Sequence, residues 1–182
     1  MEKSNIVMIG MPASGKSTVG FALAEQMGYT FVDVDRVIEA ETGQLLKEII
    51  AERGDDGFLK LEEEINAGLQ AEKTVFAPGG SVIYGPKAME HWKEIATIVY
   101  LKVSFEELEK RLGNLQERGV VLQDGMTLLD LYHERLPYYD RYADIVMDET
   151  GKDFEQTVQE LKNLLQGDKT CRIHDSAIRF RG

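Results

Sequence analysis

The sequence predicts an α/β fold, a five-stranded parallel sheet covered by helices on both faces in three layers. Two observations predict it. Short apolar runs of strand length alternate with longer segments whose apolar residues recur at i, i+3 and i+4. The segments that follow the first three apolar runs are glycine-rich or acidic, and parallel sheets bind ligands beyond the carboxyl ends of their strands.

Each element follows from its residues. Ile6 to Ile9 is the first strand, buried on both faces. Lys16 to Met27 is a helix, and Gly28 suits the position just after its end. Thr30 to Val34 is the second strand, ending in Asp33, Val34 and Asp35. Three helical segments are expected between Arg36 and Gln70. The second carries Leu45, Leu46, Ile49 and Ile50, and the third Phe58, Leu61, Ile65 and Leu69. Thr74 to Ala77 is the third strand, stopped by Pro78, Gly79 and Gly80. Gly85 and Pro86 open a short helix through Trp92, and Thr97 to Leu101 is the fourth strand. Ser104 with Glu107 three residues on reads as a capping box, and that helix ends near Leu112. Residues 113–125 lack periodicity and are expected to form a mobile lid. A helix from about Met126 to Tyr142 contains Pro137, an expected kink or break. Ile145 to Met147 is the fifth strand, and Phe154 to Leu165 a closing helix with Phe154, Val158, Leu161 and Leu165 on one face. The expected organisation is one domain over residues 1–166 and a polar tail over 167–182.

Composition excludes several functions. At 182 residues the chain is one domain's length. No stretch approaches the roughly 18 apolar residues of a membrane span, and the apolar run near the N-terminus is too short for a secretory signal. A lone Cys171 forms no internal disulfide, which fits a cytoplasmic protein. The net charge of -11 disfavours a nucleic-acid partner. An anionic small molecule then needs a local positive pocket.

Residues 10–17, Gly-Met-Pro-Ala-Ser-Gly-Lys-Ser, match G-x-x-x-x-G-K-[ST] in full, between a strand and a helix. Gly10 and Gly15 let the backbone curl so that N–H groups through Ala13 and Ser14 point at phosphate oxygens. The helix from Lys16 adds its dipole. Lys16 reaches the β- and γ-phosphates, Ser17 ligates Mg²⁺, and Thr18 follows in the same turn. The pattern points to ATP and Mg²⁺ in a P-loop NTPase-type domain.

Asp33 and Asp35 close the second strand. At i and i+2 of a strand they share a face, where two carboxylates repel unless a cation or polar ligand uses them. Asp33 would hold a water on Mg²⁺, and Asp35 would accept a hydrogen bond or proton from a substrate hydroxyl. The alternative for Asp35 is capping of the helix from Arg36.

These residues resemble the shikimate kinase family from about Asn5 to Leu165. The resemblance is carried by the loop from Gly10 to Gly20, by Phe31 to Asp35 with Ile38, Glu39 and Gly43, and by Phe58 with Glu62. Gly79-Gly80, Arg118 and the run Glu134 to Tyr139 complete it. The resemblance implies ATP-dependent phosphorylation of shikimate to shikimate 3-phosphate. Asp35 would bind substrate hydroxyls, Gly79 and Gly80 would line the substrate with a backbone N–H, and Arg135 would pair with its carboxylate. Arg118 on the lid would clamp the transferring phosphate and Arg111 would lie against adenine. Arg135 has no acidic neighbour at i±4, which disfavours a surface ion pair.

Two positions depart from the family pattern. Leu59 stands where the family has an arginine for the substrate carboxylate, and Ser81 stands where it has a third glycine. Loss of one such arginine is worth about 2–3 kcal/mol of charge-assisted hydrogen bonding. Lys60, about 100° further round the helix, is the candidate replacement. Shikimate held by Arg135 and Lys60 is therefore the leading expectation. The alternatives are another small hydroxylated metabolite (a hydroxy acid, hydroxy amino acid or sugar acid), or a nucleotide-binding regulatory protein without turnover. A GTPase switch is disfavoured because no Asn-Lys-x-Asp string occurs. His91, His133 and His174 are scattered, so a dedicated metal centre is not expected. A monomer is the default.

Overall fold

A computed structural model describes residues 3–112 and 125–167. Residues 113–124 of the expected lid, Arg118 among them, and the tail from 168, with Cys171, lie outside the described residues.

Five parallel strands form the sheet: β1 (Asn5–Ile9), β2 (Thr30–Asp33), β3 (Thr74–Ala77), β4 (Ala96–Lys102) and β5 (Ile145–Asp148). Their order is β2-β3-β1-β4-β5. The helices are α1 (Lys16–Met27), α2 (Val34–Thr42), α3 (Leu46–Gly68), α4 (Pro86–Ile95), α5 (Phe105–Leu112), α6 (Leu128–Tyr142) and α7 (Phe154–Leu165).

Strand alternation divides the core into two layers. Ile6 and Met8 point to one face of the sheet, where Val19 and Leu23 of α1 and Val158 and Leu161 of α7 cover them. Val7 and Ile9 point to the other, under Ile38 of α2, Ile49 and Phe58 of α3, Trp92 of α4 and Tyr139 of α6. Every residue of β1 is buried, as a central parallel strand requires. This is the three-layer α/β/α architecture expected. The strand order sets the carboxyl ends of β2, β3 and β1 side by side, so the three informative loops share one crevice. Among the described residues no helix is long and apolar enough to cross a membrane.

The structure corrects several local expectations. β2 stops at Asp33, and Val34 already belongs to α2. The second and third helical segments stand as expected, two helices meeting end to end in α3 at the non-helical Gly54 (φ 70°, ψ 175°). α6 starts at Leu128 behind the cap Thr127 and continues through Pro137, which withdraws its own N–H without ending the helix. Only half of the box at Ser104 forms. The Glu107 N–H donates to Ser104 Oγ at 3.3 Å, while the Glu107 carboxylate turns to Arg111. Phe154 is 42% exposed and borders a surface cavity instead of joining Val158, Leu161 and Leu165 in the core.

Candidate active site

Within the phosphate loop the Ser14 N–H, expected to be free for phosphate, donates instead to the Met11 carbonyl at 3.1 Å. Gly10 holds φ 149°, and a Cβ there would lie 2.7 Å from the Leu101 carbonyl oxygen, so the loop approaches β4 too closely for any side chain. Ala13 also has positive φ (61°), a conformation that costs an L-residue about 1–2 kcal/mol. α1 has no side-chain cap and no acid in its first turn, so its N-terminal N–H groups remain available to an anion. Ser14 Oγ is buried without a hydrogen-bond partner.

Lys16 is buried, and its Nζ donates to the carbonyls of Gly10 and Met11, both at 3.0 Å. No carboxylate among the described residues reaches ion-pair distance of it. Burial lowers its pKa to about 8, against the opposing charge of Asp35. A buried ammonium held only by carbonyls is poised for an anion. Ser17 is exposed and donates to Asp33 Oδ2 at 3.3 Å. A hydroxyl beside a carboxylate is the hard-oxygen set that suits Mg²⁺, which keeps waters and phosphate oxygens for the rest. Loop and donor set thus fit a magnesium–triphosphate.

The two aspartates divide their work differently from the strand reading. Asp33 is the N-cap of α2, accepting from the N–H groups of Asp35 (3.1 Å) and Arg36 (3.4 Å) through Oδ1. Asp35 lies in the first turn of α2 rather than on a strand, and its Oδ1 is buried without a partner. The capping role weighed for Asp35 therefore belongs to Asp33. Burial, then the Asp33 charge, push the Asp35 pKa up to about 6.

Opposite them lies Arg135, on α6 and 4% exposed. Its Nε donates to Tyr84 Oη at 3.3 Å, and its guanidinium sits 5.4 Å from the Tyr84 ring centre. The Tyr84 hydroxyl in turn donates to Glu134. No carboxylate among the described residues forms an ion pair with Arg135. Tyr139 stacks on Tyr100 at 5.0 Å and donates to the Gly80 carbonyl at 2.8 Å, tying the loop after β3 to α6. Lys16, Ser17, Asp35, Gly79, Gly80 and Arg135 line one cleft of about 700 Å³.

Arg111, at the end of α5, borders a second cavity of about 430 Å³ with Ala13, Gly15, Thr18 and Phe154. It pairs with Glu149 at 3.1 Å and Glu107 at 3.0 Å. This cavity adjoins the phosphate loop through Ala13 and Gly15, and Arg135 is not among its lining residues.

Lys60 is exposed and absent from the cleft wall, so the expected partner of Arg135 is not brought to it; Arg36 and Lys47 line the cleft instead. Sequence reasoning gave no role to Glu62, Ser81, Tyr84 or Tyr139. The available signal was Glu62, a carboxylate inside the apolar stripe of Phe58 and Ile65.

The comparisons with known proteins agree with this geometry. The family model described as shikimate kinase matches residues 12–166. A shikimate kinase of Chlorobium chlorochromatii is 35% identical over 176 residues, covering 91% of this chain and 92% of that protein. The solved shikimate kinase of Acinetobacter baumannii in complex with shikimate superposes with a TM-score of 0.83 at 28% identity, over 93% of this chain and 96% of that one. That of Aquifex aeolicus gives 0.74 at 30% identity, over 90% and 96%. Motif, three-dimensional course and identity agree over most of the length, and the chain belongs to the shikimate kinase family.

Proposed function

We propose that this chain transfers the γ-phosphoryl group of ATP to the 3-hydroxyl of shikimate, giving shikimate 3-phosphate. One observation carries the reading: a buried arginine with no ion-pair partner among the described residues shares a single cleft with an unpartnered aspartate oxygen and a buried lysine. A small hydroxylated acid completes all of them at once.

Shikimate kinases use ATP with Mg²⁺, and the ion supplies charge neutralisation on the phosphates. The chain's own residues do the rest. Lys16 exchanges its two carbonyl bonds for β- and γ-phosphate oxygens. Ser17, with Asp33 beside it at 3.3 Å, would hold the ion. Arg135 forks the acceptor's carboxylate, and the Gly80 N–H bonds to the acceptor. Asp35 orients the attacking hydroxyl and takes its proton. Arg111 lies against adenine, and Arg118 clamps the transferring phosphate. All described groups come from one copy of the chain, so a monomer suffices.

A coupled assay of ATP consumption tests this. Robust turnover with shikimate at a KM between about 1 µM and 1 mM is expected. ATP binding without turnover, or faster turnover of another hydroxy acid, hydroxy amino acid or sugar acid, overturns it. The second acceptor class is favoured by one observation, that Arg36 and Lys47 line the cleft where Lys60 does not.

Gly80→Ala probes the acceptor half separately. Its Cβ would lie 2.9 Å from an Arg135 guanidinium nitrogen and 3.1 Å from Pro12 Cδ, displacing the arginine. The acceptor KM should rise about tenfold, a loss of ~1.4 kcal/mol, with a smaller change in the KM for ATP. Steady-state kinetics with each substrate varied in turn measures both.

A further inference from the structure

Two carboxylates lining the cleft are unused by the steps above, and of these Glu39 pairs with Arg36 at 3.2 Å while Glu62 has no such cation among the described residues. Glu62, on α3, is 2% exposed. Its Oε2 accepts from the Ser81 hydroxyl at 2.6 Å, while its Oε1 is buried with no hydrogen-bond partner. Asp35 Oδ1 is unmet in the same way. The two unmet oxygens converge on Gly79, where a Cβ would lie 2.6 Å from Glu62 Oε1 and 3.2 Å from Asp35 Oδ1.

Among the described residues nothing donates to Glu62 Oε1. Among the described residues no cation forms an ion pair with Glu62. Its stretch of helix is anchored from behind. Asn66 Nδ2 donates to the Glu62 carbonyl at 2.7 Å, and Trp92 Nε1 donates to Asn66 Oδ1 at 3.3 Å. An unmet buried polar atom is costly, and a bound ligand can supply its missing partner. Two such oxygens meeting at one point suit two hydroxyls on neighbouring carbons.

We infer that Glu62 is a second hydroxyl-reading residue of the acceptor site, with Ser81 as its positioning residue, and that the acceptor presents adjacent hydroxyls to Asp35 and Glu62. The inference rests on the kinase reading of the same cleft and deepens it. Burial pushes the Glu62 carboxyl up to about 7. The Ser81 hydrogen bond and the charges of Arg135 and Lys16 pull it down, and Asp35 pushes it up. Near neutrality it can both donate and accept.

The test compares wild type, Ser81→Ala and Ser81→Thr on shikimate and on its 4-deoxy and 5-deoxy analogues, each lacking one non-reacting hydroxyl. For wild type, loss of one of these hydroxyls should raise KM about tenfold. Ser81→Ala should raise the KM for shikimate about tenfold, with kcat and the KM for ATP within about twofold, and should shrink the deoxy penalty below about threefold. Ser81→Thr keeps the hydroxyl and should restore both. An unchanged KM in Ser81→Ala, or an undiminished deoxy penalty, overturns the inference alone. Absence of shikimate turnover by wild type overturns the kinase reading and this inference together. Should Ser81→Ala not fold, Glu62→Gln of the same shape decides: it should flatten the pH dependence of the acceptor KM around neutrality, and persistence of that dependence overturns the inference.

Discussion

Lys16→Ala lowers kcat by about 10³-fold or more while leaving the apo protein nearly as stable as wild type. The first half follows from what the ammonium does. It is the one buried cation of the phosphate loop, and removing a single preorganised donor from a developing negative charge already costs about 10²–10³ in rate. The second half follows from what the ammonium lacks. Its hydrogen bonds in the apo chain go to two carbonyls, with no carboxylate among the described residues at ion-pair distance, and burial disfavours its charged form enough to bring its pKa to about 8. Deleting such a group removes two hydrogen bonds and also a desolvated charge, effects of opposite sign. Thermal melts should therefore differ by a few degrees, and calorimetric titration of MgATP should show much weakened binding. Wild-type kcat/KM for ATP should also decline above about pH 8, where Lys16 in the free enzyme loses its proton. A variant that keeps more than a tenth of the wild-type rate contradicts the assignment.

The parts legible in the sequence were those fixed by local chemistry. The phosphate loop declared itself because only glycines and one lysine at that spacing build it, and β1, β3 and α1 were legible because their apolar runs have the right length and end in turn residues. What failed did so for identifiable reasons. Val34 reads as strand because it and Val32 are β-branched, but the Asp33 carboxylate caps the next turn and starts the helix at Val34, two residues before Arg36. Lys60 was the nearest cation to Leu59, yet two residues along a helix from Phe58 is about 200°, which faces it away from the cleft. The same arithmetic places Glu62 at i+4 from Phe58, on the cleft side. A carboxylate there has meaning only once Ser81, nineteen residues on, is seen to meet it. Such pairings arise from tertiary packing and leave no trace in periodicity.

Asp35→Asn separates activity from stability in opposite directions. Its Oδ1 is buried without a hydrogen-bond partner in the cleft assigned to the acceptor, so the substitution removes the proposed proton acceptor and should lower kcat/KM for the acceptor by about 10²–10⁴-fold. MgATP binding, which runs through residues 10–17, should keep its Kd within about threefold. The pH profile carries the same assignment. Burial holds the carboxyl at about 6, so wild-type kcat/KM falls as pH drops below about 6 and the base becomes protonated. Stability responds with the other sign. A folded-state pKa raised from 3.8 to about 6 means the native state holds its proton more tightly than the unfolded chain does, so this group's contribution to stability declines as pH rises through that window. At pH 7 wild type therefore carries a penalty for an ionised, desolvated carboxylate beside Asp33, and the neutral amide removes it. Asp35→Asn should melt at a higher temperature than wild type at pH 7, with the difference shrinking toward pH 4, while turning over far more slowly. Retention of the full rate excludes Asp35 as the acceptor's base, and a lower melting temperature at pH 7 excludes a desolvated carboxylate at this position.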